Sequence, residues 1–222
     1  MIISTNGFLI HSRKYQETSS IIYIFSPVKG LQSLIFKGKD TNKEKFKFSI
    51  FKEYQFNYNE KYKLPFLSKF ETIKEYSFDK KYYLLGLYVN ELLYKTLRQG
   101  YDFEKVYDDY KSFLTYLSSS IDDSNNLALL FEKNLLENLG YALNVHSDEV
   151  IKENNNYYYD FNYGFKTIDN SNKKYLIKGK YLSEFFSNKL SSKKEIILLR
   201  GIVREIFTKI YPDMILNGDK LF

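Results

Sequence analysis

Along the first third of the chain, apolar residues fall in short runs rich in β-formers. Ile2–His11, Ser19–Phe25 and Leu31–Lys37 are the first three, and Pro27 and Gly30 separate the second from the third. Phe46, Phe48 and Ile50 then alternate with polar residues, as do Tyr54, Phe56 and Tyr58, which is the two-residue period of a strand. Lys52 and Glu53 interrupt that alternation and predict a bend or bulge. The stretch LPFLSKFETIKEYSF supplies a fifth strand ending near Tyr76. Five short strands within residues 1–78 predict a small closed barrel of the OB type, with an SH3-like barrel as the alternative.

From Asp79 the spacing changes to three and four. DKKYYLLGLYVNELLYKTLRQG predicts a long helix capped by Asp79 and stopped by Gly100. A second helix starts at Asp102 and puts Phe103, Val106, Tyr110, Phe113, Leu114 and Leu117 on one face. NLALLFEKNLLENLG predicts a third, ending at Gly140. Residues 146–178 are polar and rich in Asn, Tyr and Lys, and YYYDFNYGFKTI within them reads as a hairpin or loop excursion. A short helix follows near Tyr181–Leu190. The last helix opens on a capping box, Ser192 to Glu195, carries Ile196, Leu199, Val203, Ile206, Phe207 and Ile210, and stops before Pro212. The fold class is therefore α+β: a five-stranded OB-fold barrel over residues 1–78, then a mainly α-helical domain over 79–222 with a Tyr/Asn-rich excursion at 146–178.

Charge changes the picture more than composition does. Residues 1–80 hold 14 Lys and Arg against 8 Asp and Glu, so the whole formal excess of +6 lies in the barrel. A basic barrel beside a neutral helical domain suits a polyanion partner for the first part and another task for the second. Lys, Asn, Ile, Tyr and Phe are all abundant, as in an AT-rich coding sequence, so composition assigns no role to any single lysine. With no Cys there is no disulfide or thiolate chemistry, and with only His11 and His146 an imidazole metal site is not expected. No apolar run reaches the ~18 residues of a membrane span. The N-terminus lacks the basic-then-apolar order of a signal peptide, so a cytoplasmic chain without a membrane partner is expected.

Several clusters carry candidate chemistry. His11-Ser12-Arg13-Lys14-Tyr15-Gln16-Glu17-Thr18-Ser19 has the residue types of a hydrolase site. Adjacent strand residues point to opposite faces, however, so His11 and Ser12 diverge, and no G-x-S-x-G is present. The segment reads as a strand end and a turn held by Glu17 and Thr18, leaving Arg13 and Lys14 available to phosphate. Asp108-Asp109 and Asp122-Asp123 are the pairs a two-metal nuclease needs, but they fall on a polar helix face and at a cap. Glu91 lies among Val89, Leu92 and Leu93, and if buried it needs a partner, read as a structural ion pair or a bond to a loop. No phosphate-binding glycine loop occurs, so no nucleotide hydrolysis and no catalytic residue are expected. KGKDTNKEKFKF is the strongest binding candidate. Lys37, Lys39, Lys43, Lys45 and Lys47 can track a phosphate backbone, with Phe46 and Phe48 as stacking faces or as barrel core.

The order of these features resembles the bacterial recombination protein O (RecO) family of DNA repair proteins. GFLIHSRKYQETSSIIYIFSPVKGLQSLIFKG is similar to that family's opening strands and polar HSR-x-Y-x-E turn. LYVNELLYKTL resembles its first C-terminal helix, FEKNLLENLGYALNV its FE-x-x-LL-x-x-LGY helix, and YYYDFNYGF a later Tyr-rich stretch. The resemblance runs collinearly from about Gly7 to Arg204. It implies an OB fold that binds single- and double-stranded DNA and anneals complementary strands, including strands coated by single-stranded DNA-binding protein. It also implies work with recombination protein R (RecR), often with RecF, to load the RecA recombinase without ATP hydrolysis. No cofactor is implied: many members carry a four-Cys zinc site after LGY, whereas this chain, without Cys, resembles the zinc-free branch.

On this reading Arg13, Lys14, Lys37, Lys39, Lys43, Lys45 and Lys47 are the expected DNA-binding residues. Relatives often carry an Arg before FE that receives the acidic C-terminal tail of single-stranded DNA-binding protein; here Leu129 and Leu130 stand there. Lys133, Arg200 and Arg204 are the expected substitutes, with Arg200 and Arg204 one helical turn apart on the rim of an apolar groove. The family's C-terminal L-K-S-R reads Leu216-Asn217-Gly218-Asp219, without its two cations. An OB-fold RNA-binding or ribosome-associated factor, and an adaptor binding only protein, are the rival readings.

Overall fold

The computed structural model of the chain describes residues 2–37, 49–119, 123–146, 150–168 and 175–214. Lys39, Lys43, Lys45, Lys47, Phe46, Phe48 and the 216–219 stretch lie outside the described residues. Five antiparallel strands open the fold: β1 (Ile2–Gln16), β2 (Ser19–Ser26), β3 (Gly30–Lys37), β4 (Lys52–Asn59) and β5 (Leu67–Glu75). They are ordered β3-β2-β1-β4-β5. The two edges meet where the Ile35 amide donates to the Pro65 carbonyl at 2.8 Å, beside a parallel bridge between Ile35 and Phe66. The sheet is thus curled into the OB arrangement and joined at one point rather than along a full ladder. Leu9, Ile22, Ile24, Leu34, Tyr54, Phe56 and Tyr58 fill its interior. Inside, the Gln32 side-chain amide donates to the Tyr58 hydroxyl at 2.8 Å and accepts from Ser26 at 3.2 Å, so these polar groups are satisfied.

One sequence expectation changes here and another is met. β1 does not stop at His11: Ser12, Arg13 and Lys14 stay paired with Ile22, Ile21 and Ser20, and only Glu17 and Thr18 form the turn. The polar side chains misled because residues 11–16 of β1 are exposed while their backbone stays in the ladder, and an exposed strand needs no apolar alternation. The bend or bulge expected at Lys52 and Glu53 is present as a shift in the β4–β5 register between Glu53 and Tyr54, and just before it Phe51 has φ 62. A phenylalanine in that region carries a local cost of about 1–2 kcal/mol. Its buried ring offsets this by packing 5.0 Å from Phe78 and 5.4 Å from Tyr83, centroid to centroid.

The period change at Asp79 marks the passage from strands to helices, yet the first compact unit continues through α1 (Lys80–Thr96) and α2 (Glu104–Ser118). Phe8 and Phe25, on the sheet's outer face, pack against Tyr107 at 5.2 and 5.4 Å, and Phe8 meets Tyr110 edge-on at 4.9 Å. Polar contacts fix the register of this layer. The Tyr107 hydroxyl donates to buried Glu53 at 2.9 Å, Lys111 reaches the same carboxylate at 3.2 Å, and the Tyr110 hydroxyl donates to buried Asn90. Burial first, and then the Glu53 charge, push the Tyr107 hydroxyl far above the usual tyrosine range. Asn90 and Thr96, rather than Glu91, are the buried polar residues of α1; Glu91 is only half-buried.

The second compact unit holds α3 (Ser124–Asn138), β6 (Asn156–Asp160), β7 (Gly164–Thr167), β8 (Ile177–Lys178), α4 (Gly179–Phe186) and α5 (Lys193–Ile210). α3 and α5 pack on one another, and the small sheet is ordered β7-β6-β8. Of the hairpin or loop excursion expected for the Tyr-rich stretch, the structure forms the hairpin, with Tyr159 opposite Phe165. Asp123 caps α3 by accepting from the Asn126 amide at 3.4 Å. At α5 the capping box marks the start, Lys193, but the Ser192 side chain makes no capping bond.

Candidate nucleic-acid interface

Strand register decides which cations share a surface. Leu9, Ile24 and Gln32 form one cross-strand row facing the barrel interior, and Ser12, Ile22 and Leu34 form another. A bulge between Leu9 and His11 absorbs Ile10, so His11, Tyr23 and Ser33 lie on the opposite, outer face. Arg13, Ile21 and Ile35 follow on that face, while Lys14 goes inward with Ser20 and Phe36. The structure thus separates Arg13 from Lys14, which the sequence presents as one pair. Lys37 ends β3 opposite Ser19, two residues beyond Ile35, and its ammonium sits 4.5 Å over the Phe66 ring.

The outer face continues onto α1. Tyr94 lies 4.7 Å from His11 and 4.9 Å from Tyr23, and His11 lies 5.7 Å from Tyr23, ring centroid to ring centroid. Partial burial, then the Arg13 guanidinium and the Lys95 ammonium, hold His11 below its ordinary pKa of 6.5, so it is neutral near pH 7. Burial first, then neighbouring Tyr23, push the Tyr94 hydroxyl up. Charge along the barrel is uneven. Lys52 pairs with Glu75 at 2.8 Å, Lys69 pairs with Glu71, and Lys29 pairs with Glu60. Among the described residues Arg13, Lys14 and Lys95 have no ion-pair partner. Such exposed pairs add little stability, but they cancel local field; Lys37, Lys61, Lys63 and Lys74 likewise have no ion-pair partner among the described residues, so the uncancelled charge is spread over both edges of the sheet.

The three cations expected to receive an acidic tail are placed differently. Lys133 is 6% exposed; its ammonium donates to Asn188 at 2.9 Å and lies 5.2 Å over Phe185. Burial lowers its pKa, with Glu137 opposing. Arg200 donates to Glu132 at 2.9 Å through one terminal nitrogen and at 3.3 Å through Nε, and to Asn125 at 2.8 Å. Both side chains serve the interior of this unit, so the expected cationic rim is not formed by Lys133 and Arg200. The helical face that Arg200 shares with Arg204 is the one turned to α3, where fully buried Glu132 needs a countercharge. Arg204 is half-buried. No group of three or more His, Asp or Glu able to hold a metal occurs among the described residues.

Sequence reasoning missed Tyr23, Tyr94 and Lys95. No local motif marks them, since the three rings come from β1, β2 and α1. Only the register and the helix docking bring them together.

Comparison with known proteins covers most of the chain. Residues 1–76 match the family model described as "Recombination protein O N terminal" and residues 77–193 match "Recombination protein O C terminal". The chain is 30% identical over 167 residues to DNA repair protein RecO of Psychromonas ingrahamii, covering 72% of this chain and 71% of that one. Over 142 residues it is 33% identical to the protein of that name from Polynucleobacter necessarius subsp. necessarius, covering 61% and 58% of the two chains. Over 214 residues it is 26% identical to that of Coxiella burnetii, covering 91% and 92%.

Proposed function

The chain belongs to the recombination protein O family of DNA repair proteins, and from that premise we propose that it binds single- and double-stranded DNA through the barrel and anneals complementary strands, including strands coated by single-stranded DNA-binding protein. In this reading it acts with RecR, and often RecF, as a mediator that loads RecA during recombinational repair, without nucleotide hydrolysis and without being an enzyme. The carrying observation is the positive charge that Arg13 and Lys95 bring together beside His11 on the outer face of the β1–β2 pair, where neither has an ion-pair partner among the described residues. Cations that contact phosphates without reading bases hold two strands near one another while leaving the bases able to pair. Lys37 and the lysines at 39, 43, 45 and 47 extend that set in sequence.

The acidic tail of single-stranded DNA-binding protein is the proposed partner of the helical unit. Of its three expected contacts, Arg204 retains partial exposure, whereas Lys133 and Arg200 are buried. The rival RNA-binding reading is disfavoured because such a factor has no need of the C-terminal domain that matches at residues 77–193.

The test is annealing of complementary strands pre-coated with the host's single-stranded DNA-binding protein. Acceleration without ATP is expected. A rate equal to that of the coated strands alone refutes the proposal.

A further inference from the structure

We propose that His11, Tyr23 and Tyr94 form a stacking platform for an unpaired base of single-stranded DNA, with Arg13 and Lys95 beside it for the adjoining phosphates. This rests on the DNA-binding reading above and supplies the contact that distinguishes a single strand from a duplex. The platform has three rings from three elements, with centroids 4.7, 4.9 and 5.7 Å apart. His11 is exposed, and Tyr23 and Tyr94 are each half-buried, so the cluster is anchored on one side and open on the other. The Tyr23 and Tyr94 rings meet at 80°, which presents an edge-braced surface rather than a closed stack.

Charge selects the ligand. The charged groups that act on His11 are both cations, Arg13 and Lys95, and after partial burial they add to the effects that hold the imidazole neutral. A neutral aromatic surface beside cations complements the flat stacking faces of bases carried on an anionic sugar–phosphate backbone. An acidic peptide would use the cations but leave the ring faces unmatched. A duplex keeps its bases stacked within itself.

A second aromatic cluster shows the contrast. In the helical unit Lys166 lies 4.2 Å over Tyr163 and Lys209 lies 3.9 Å over Phe161, so those ring faces are already occupied by cations of this chain. Among the described residues no cation lies over Tyr23 or Tyr94.

The experiment compares binding of a thymidine oligonucleotide with an abasic oligonucleotide of the same length and charge, by fluorescence anisotropy at fixed salt, using the full chain. The intact protein should prefer the thymidine strand by about tenfold for each base stacked. The pair Tyr23→Leu and Tyr94→Leu should remove that preference and leave the abasic affinity unchanged, while Tyr23→Phe and Tyr94→Phe should retain it. The Phe variants keep the packing, so a folding defect in the Leu variants is recognised by equal losses on both strands. Equal affinity of the intact protein for the two strands overturns the platform and leaves DNA binding standing. So does a preference for thymidine that survives in correctly folded Leu variants. Binding to neither strand overturns the DNA-binding reading as well.

Discussion

Replacing Arg200 alone by Met should destabilise the helical unit severely, whereas replacing Arg200 and Glu132 together should not. Glu132 has no exposed side-chain surface and Arg200 only 4%, so their pairing at 2.9 Å takes place out of water. Removing one partner leaves the other charge buried, which costs about 3–5 kcal/mol. The Arg200 contact to Asn125 at 2.8 Å is lost as well and adds to the cost. Glu132→Leu with Arg200→Met removes both charges, and exchanges of this kind range from neutral to stabilising by about 1–4 kcal/mol. Urea unfolding of the full chain followed by circular dichroism measures the difference. With a slope of about 2 kcal/mol per molar urea, the single variant should lower the midpoint by roughly 2 M, and the double variant should recover most of it. Hydrogen exchange at α3 and α5 amides assigns the loss to the unit that contains the pair. A single variant within about 1 kcal/mol of the parent would refute the reasoning, because a loss that small is typical of an exposed pair. The same logic bears on the tail site: reversing the charge of Arg200 tests folding before it tests partner binding, and Arg204 is the residue to vary instead.

The remaining predictions concern the barrel unit. Gly30 has φ +63, and a Cβ there would meet the Arg98 carbonyl oxygen at 2.3 Å, so Gly30→Ala should lower the urea midpoint by the equivalent of about 1–3 kcal/mol; an unchanged midpoint counts against the geometry of this turn. His11 is neutral in the fold at pH values where the unfolded chain has begun to protonate it, so its contribution is fully present above pH 6.5 and is lost as pH falls from there through its lowered folded value. Comparing midpoints at pH 7.5 and 5.5 for the parent and His11→Asn should show the larger drop in the parent, and an NMR titration placing His11 at or above 6.5 would contradict it. Arg13→Ala should reduce the magnitude of the salt slope for single-stranded DNA by about 0.7 if this side chain neutralises one phosphate; an unchanged slope removes it from the interface. Tyr107→Phe deletes one of the two hydrogen bonds to buried Glu53 and should cost about 1–3 kcal/mol in urea unfolding, with no loss expected if Lys111 alone satisfies the carboxylate.

Periodicity in the sequence determined the elements: five strands, then helices, then the Tyr-rich hairpin and the last two helices. Spacing is a local property, and local backbone geometry imposes the periods of two and 3.6 on any chain that buries one face. The ordered motifs from Gly7 to Arg204 also sufficed for the family, since they mark core and turn positions of both domains. Tertiary structure alone decided which residues act together. The bulge after Leu9 sends Arg13 outward and Lys14 inward, although they are neighbours in the chain. Helix α1 sets Tyr94 against His11 and Tyr23, and α3 sets Glu132 against Arg200, joining residues 68 positions apart. An arginine looks the same in sequence whether it meets solvent, phosphate or a buried carboxylate. The difference is a matter of desolvation and partner, and both are fixed only when the elements pack.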